Sequence, residues 1–239
     1  MTIETRTIDY TLDDNVYEAL IAKDKDLTGP RPGVMVCHAW GGRKSHEEMA
    51  AKRLADLGYV GFAADVYGKG VRGDTIEENQ ALMTPLMEDR EGLQARLRAG
   101  LSALAADPAV DEKKLAVVGY CFGGLCSLDM ARTNAPVLGC AAFHAVIGQP
   151  GVPGGEPIKP KVIAYQGYED PMADKEAQRG FADEMTERQA DWQLHLFGGV
   201  KHAFTNPDAD NDELGLKYNA LADARSWSSF TRFLDNLFA

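Results

Sequence analysis

The sequence predicts an α/β fold: a mostly parallel sheet with helices on both faces. Three observations lead there. After an opening hairpin, short apolar runs alternate with helical patterns along the chain. Several of those runs, such as Val34-Met35-Val36-Cys37 and Leu115-Ala116-Val117-Val118, are continuous rather than alternating, as in strands buried on both faces. No linker, repeat or low-complexity segment separates one part of the 239 residues from another, so residues 1–239 read as a single domain.

In order, Ile3, Thr5 and Thr7 alternate with charged residues. Asp13-Asp14-Asn15 supplies turn chemistry, and Val16 to Ala22 forms the second strand of the hairpin. Gly29-Pro30-Arg31-Pro32-Gly33 punctuates the chain before the buried strand 34–37. Ser45 and Glu48 have capping-box spacing, and Met49, Ala50, Arg53, Leu54 and Leu57 follow at helical spacing until Gly58. Val60 to Val66 is the next strand. Residues 67–90, interrupted by Gly68, Gly70, Gly73 and Pro85, suggest loop and a short helix lying as a partial cover over a site. A long amphipathic helix runs from about Glu91 to Ala106, ahead of strand 115–118 and a helix-like run from Leu125 to Arg132. Val137 to Phe143 is a strand, 148–160 a Gly- and Pro-rich loop, and Lys161 to Gly167 another strand. Asp174 to Gln189 is helical, Trp192 to Phe197 is the last strand, and a final amphipathic helix spans about Leu214 to Phe238.

Composition narrows the function classes. A net charge of -11 disfavours nucleic acid or an anionic membrane surface, both of which call for a basic face. No apolar run approaches the roughly 20 residues that span a membrane, and the N-terminus lacks a signal-segment pattern. Cys37, Cys121, Cys126 and Cys140 form no disulfide framework, which points to a reducing, cytoplasmic setting. His46-Glu47-Glu48-Met49-Ala50 starts like a zinc-protease signature but has Ala50 where the second histidine belongs. No paired CxxC and no dinucleotide fingerprint follow, so neither metal nor cofactor is expected.

The chemistry gathers at strand ends, where ligands bind in such sheets. Strand 115–118 leads into Gly119-Tyr120-Cys121-Phe122-Gly123-Gly124 and then a helix, the pattern of a nucleophile elbow with cysteine in the serine position. Glycines fit there because the turn leaves no room for side chains. Downstream lie Asp170, in Gly167-Tyr168-Glu169-Asp170-Pro171, and His202, in Val200-Lys201-His202-Ala203-Phe204. The order nucleophile, acid, histidine is that of an α/β-hydrolase triad: His202 as the base for Cys121, Asp170 as the group that orients it. The helix start at Cys121 favours a thiolate. Backbone N–H groups of Phe122 and Ala39, with Trp40 as an alternative to Ala39, are the expected oxyanion donors. His38, Trp40, Tyr67 and His144 are candidates to line the pocket.

On the elbow, on Asp170-Pro171, on His202-Ala203-Phe204 and on Asp65-Val66-Tyr67-Gly68, the chain resembles the dienelactone hydrolase family, the carboxymethylenebutenolidase-like α/β-hydrolases. The resemblance covers essentially the whole chain. It implies an eight-stranded sheet without a large cap domain, a Cys-Asp-His triad and hydrolysis of a lactone or ester. Two departures stand out. The family's namesakes carry a glutamate just before the oxyanion-hole residue, where this chain has His38. They also bind a substrate carboxylate with arginines, one shortly after the catalytic histidine, whereas Ala203-Phe204-Thr205-Asn206-Pro207 follows here. A neutral or differently shaped ester is therefore expected rather than dienelactone itself. Two other readings stand beside hydrolysis: a thioesterase or acyltransferase on the same triad, and a non-catalytic ligand-binding relative. The expected partner is a small ester or lactone, and the expected state a monomer or homodimer.

Overall fold

The computed structural model describes residues 2–148 and 155–239. Its principal sheet has eight strands in the order β1-β2-β4-β3-β5-β6-β7-β8, mostly parallel and accompanied by helices. The chain divides into two compact units, Met1–Val118 and Gly119–Ala239.

In the first unit, β1 (Ile3–Leu12) and β2 (Asn15–Asp24) form the expected hairpin, with Leu12 opposite Asn15 and Asp13 at φ 51° in its turn. β2 pairs antiparallel with β4 (Val60–Ala63), and β3 (Arg31–Cys37) pairs parallel with β4. Val34 to Cys37 are all buried, as their unbroken apolar run requires. Helix α1 (Ser45–Asp56) lies directly on β4: a Cβ at Gly61 would come 2.2 Å from the Ala51 carbonyl oxygen. The helix begins one residue earlier than the capping box at Ser45 suggested. Lys44 is the N-cap, and Glu47 rather than Glu48 reaches back to its N–H at 3.0 Å. The cover segment is more helical than expected. Thr75 and Glu78 cap α2 (Ile76–Glu88), which holds Pro85 within it, and α3 (Arg90–Ala105) follows. Strand β5 (Val110–Tyr120) is longer than the apolar run that announced it.

The second unit starts at the end of β5. Helix α4 (Phe122–Arg132) is followed by β6 (Gly139–Phe143), β7 (Lys161–Gly167), α5 (Lys175–Glu187) and β8 (Trp192–Phe197), with β6, β7 and β8 parallel. The loop expected at 148–160 falls partly on residues 149–154, outside the described residues. The last helix is shorter than its apolar pattern. Residues Asp210–Asn211 (β9) and Leu216–Lys217 (β10) form a small hairpin, and α6 runs only over Ala220–Phe238, capped by the Asn219 side chain. Stacked rings of Tyr120, Phe143 and Tyr165, with Phe230 of α6 edge-on to Phe143, make an aromatic core behind the strand ends. At its far end α4 is anchored by Arg132, which is buried with Asp129 and also pairs with the half-buried Glu184.

Candidate active site

Cys121 stands between the last residue of β5 and the first of α4, at φ 57° and ψ -116°. A non-glycine residue with positive φ is strained, and here the strain sits at the tip of the turn between β5 and α4. The neighbouring glycines are steric necessities. A Cβ at Gly119 would lie 1.8 Å from the Gly123 carbonyl oxygen, and one at Gly124 would lie 2.5 Å from Ala145 Cβ. Cys121 donates its N–H to the Phe143 carbonyl at 3.0 Å, which ties the elbow to β6. Its carbonyl accepts from Gly124 and Leu125, so the first turn of α4 winds directly off the cysteine. The thiol is half-buried, and Cys37, Cys126 and Cys140 are buried. Burial pushes the Cys140 thiol up to about 12, so that cysteine is an inert part of the core.

His202 and Asp170 meet in the same unit. His202 Nδ1 donates to Asp170 Oδ2 at 2.7 Å, with both side chains buried. Asp170 Oδ1 is not idle: it accepts the Met172 N–H at 2.8 Å. The carboxylate is therefore held at both oxygens, and the buried Nε2 of the imidazole makes no hydrogen bond among the described residues. Burial alone would lower the His202 pKa. The nearby Cys121 and the bond to Asp170 outweigh it and lift the value to about 10.

Several other candidates have defined surroundings. His144, at φ 37° after β6, is buried edge-on to His202 with ring centroids 5.1 Å apart, and its Nε2 pairs with Thr205 Oγ1 at 2.8 Å. His38, Trp40 and Tyr67 come together within the first unit. His38 is buried. Its Nδ1 donates to the Ala39 carbonyl at 2.6 Å and its Nε2 accepts the Val66 N–H at 3.2 Å. That pattern fixes the neutral tautomer, and burial holds its pKa below the ordinary histidine value. Through both ring nitrogens His38 links the turns that follow β3 and β4. Tyr67 packs on it at 4.6 Å and donates its hydroxyl to the Trp40 carbonyl at 2.8 Å; Trp40 and Tyr67 are half-buried.

Ala39 differs from expectation. Its N–H is donated to Glu47 Oε1 at 3.1 Å, so it is not an open oxyanion donor. Glu47, nearly fully buried, takes the Lys44 N–H with its other oxygen and so organises the whole turn after β3. Sequence reasoning missed Glu47 because it placed the capping box one residue late. It also missed Thr205, for which the sequence offers no signal. Among the described residues no group of three or more His, Cys, Asp or Glu could hold a metal, and no helix is long and apolar enough to cross a membrane.

Comparison with known proteins places this chain in a family. The model described as "Dienelactone hydrolase family" matches residues 17–238. A solved structure of a dienelactone hydrolase-like promiscuous phosphotriesterase from metagenomic libraries is 33% identical, with TM-score 0.95 over 99% of both chains. Another, named m3DLH, is 36% identical with TM-score 0.94 over the same share of both. Among curated proteins, a Bradyrhizobium sequence named "Probable 2-oxo-3-(5-oxofuran-2-ylidene)propanoate lactonase" is 24% identical. That match covers 87% of this chain and 85% of the relative.

Proposed function

The chain belongs to the dienelactone hydrolase family, and we propose that it opens small neutral esters or lactones through Cys121, His202 and Asp170 with a covalent acyl-enzyme intermediate. Membership makes it a hydrolase of ester or lactone bonds. The observation that carries the finer reading is the buried His202–Asp170 hydrogen bond, with His202 Nε2 turned to a thiol on a strained elbow.

In this mechanism Cys121 Sγ attacks the carbonyl carbon. A C–S bond forms as the carbonyl π pair moves to oxygen. Collapse of that oxyanion breaks the C–O bond, and His202 Nε2–H gives its proton to the departing alkoxide. His202 then takes a proton from water, the hydroxide adds to the thioester, and C–S cleavage returns the thiolate and releases the acid. Asp170 stabilises the imidazolium throughout. Phe122, first residue of α4, supplies one oxyanion donor. The second is assigned to the turn after β3. Ala39 itself is spent on Glu47. A neutral acyl group is favoured because Ala203-Phe204-Thr205-Asn206-Pro207 puts no arginine after the histidine. Residues 1–239 act as one catalytic domain, a reading supported by a family match that spans both compact units.

The test is hydrolysis of p-nitrophenyl acetate, with Cys121→Ala inactive and an acetyl group trapped on Cys121 in the slow variant His202→Ala. Full activity of Cys121→Ala would reject the reading. A second substrate class, phosphotriesters, is favoured by the 33% identical phosphotriesterase. Attack of the same thiolate on phosphorus would expel an aryloxide and leave a phosphorylated cysteine for water to cleave. Release of p-nitrophenol from paraoxon, absent in Cys121→Ala, is the expected result.

A further inference from the structure

We propose that the β9–β10 hairpin is a strap that fixes the Asp170–His202 pair, with Gly215 as its positioning residue. The proposal rests on the reading of these residues as members of a triad. His202 lies in irregular chain between Gly199 at φ 71° and Ala203 at φ 56°, so neither a helix nor a principal strand sets its backbone. The strap does. His202 donates its N–H to the Gly215 carbonyl at 3.0 Å, and its own carbonyl accepts the Lys217 N–H at 3.0 Å. The hairpin is closed by pairing of Asp210 with Lys217 and Asn211 with Leu216, and by the bond from Tyr218 N–H to the Ala209 carbonyl at 2.9 Å. Asn219, the cap of α6, ties it to the Phe204 carbonyl at 3.0 Å.

The same strap bears on the acid. Gly215 sits at φ 69°, and a Cβ there would lie 2.4 Å from Pro171 Cγ and 2.8 Å from Cδ. Pro171 directly follows Asp170. One glycine thus accepts the histidine's N–H through its carbonyl and fits flush on the carboxylate's turn through its missing side chain. The ion pairs on the hairpin surface, Lys201 with Asp212 and Lys217 with Asp210, are exposed and contribute little.

Adding a methyl at 215 demands about 1 Å of separation before carbon atoms reach ordinary contact, and a displacement of about 1 Å near a reacting group costs about a hundredfold. The experiment compares wild type, Gly215→Ala, Pro171→Ala and the double variant. The readouts are kcat and KM for p-nitrophenyl acetate and the low-field NMR proton of the His202 Nδ1–H bond to Asp170. Gly215→Ala is expected to lose about tenfold to a hundredfold in kcat with KM little changed, and its low-field resonance to shift or broaden. Pro171→Ala removes Cγ and Cδ and leaves a Cβ 3.7 Å from the new methyl. The double variant relieves this contact but keeps the left-handed backbone at 215, so it should recover part of kcat and sharpen the resonance relative to Gly215→Ala. If Gly215→Ala does not fold, a folded and active double variant supports the strap, and an unfolded one overturns it. A Gly215→Ala protein with unchanged kcat and resonance, or a double variant without recovery, also overturns it. A wild type without esterase activity would instead sink the triad reading, and the resonance alone would still judge the strap.

Discussion

Replacing Asp170 by Asn separates its charge from its shape. The two oxygens of Asp170 have different duties: Oδ1 accepts the Met172 N–H at 2.8 Å, and Oδ2 accepts the His202 Nδ1–H at 2.7 Å. An asparagine has one acceptor. A backbone N–H cannot turn into an acceptor, so the amide oxygen must stay on Met172 and the NH2 group must face His202. The imidazole then has to accept at Nδ1, which puts its proton on Nε2, the nitrogen that should take the thiol's proton. The neutral histidine becomes the wrong tautomer, and the imidazolium loses its buried counter-charge. The equivalent change in a serine triad costs about 10⁴-fold in kcat, or about 5 to 6 kcal/mol of transition-state stabilisation at 1.36 kcal/mol per decade. For Asp170→Asn a loss of about 10³- to 10⁴-fold is expected, with little change in thermal stability. The assay is kcat/KM for p-nitrophenyl acetate beside the rate of iodoacetamide alkylation near neutral pH, which should fall in parallel. An Asp170→Asn enzyme within tenfold of wild type, as an order-of-magnitude threshold, would refute the argument.

Two further outcomes follow from the same geometry. His202 has its pKa raised from the ordinary value to about 10 in the folded protein. The folded state therefore binds the extra proton, and this contribution to stability is complete below about pH 6.5 and lost as pH rises through about 10. The gap in Tm between wild type and His202→Gln should shrink from about pH 6 to above pH 10; a gap that widens would contradict the assignment. Glu47→Gln places an amide NH2 against either the Ala39 or the Lys44 N–H, where both now find carboxylate oxygens. One buried donor is left unpaired, so urea denaturation should show about 1–3 kcal/mol of lost stability. Unchanged stability would contradict this pairing.

The order of strands and helices was readable because apolar runs and their spacing report burial directly. Val34 to Cys37 and Leu115 to Val118 could be nothing but buried strands, and both are. The elbow was readable because its glycines are forced by contacts of 1.8 and 2.5 Å, and few other arrangements demand them. Asp170 and His202 were recognised from their order in the chain, and the structure brings them to 2.7 Å. Details that depend on a one-residue shift or on long-range contact were not readable. Whether Glu47 or Glu48 reached back over the α1 start decided the fate of the Ala39 N–H, and both have carboxylates at nearly the right spacing. The hairpin before α6 was hidden because Leu214, Leu216 and the apolar face of α6 run on as one helical pattern. Gly215 at φ 69° breaks that pattern by backbone geometry, which hydrophobicity does not encode.

These cases share a physical cause. Catalytic side chains can be recognised by type, but what holds them is mostly backbone. His202 is gripped through its own N–H and carbonyl by Gly215 and Lys217, Asp170 through the Met172 N–H, and Cys121 through the Phe143 carbonyl. Backbone groups are the same in every residue, so the sequence advertises such supports only where geometry excludes a side chain, as at Gly119, Gly124 and Gly215. Glycines that any Cβ would drive into backbone or a rigid ring are therefore the sequence positions that most directly mark how a site is held. Gly61 marks the packing of α1 on β4, whereas Gly119 and Gly124 lie beside Cys121 and Gly215 against Pro171; if the proposed mechanism holds, substitution at these three should damage chemistry before it damages binding.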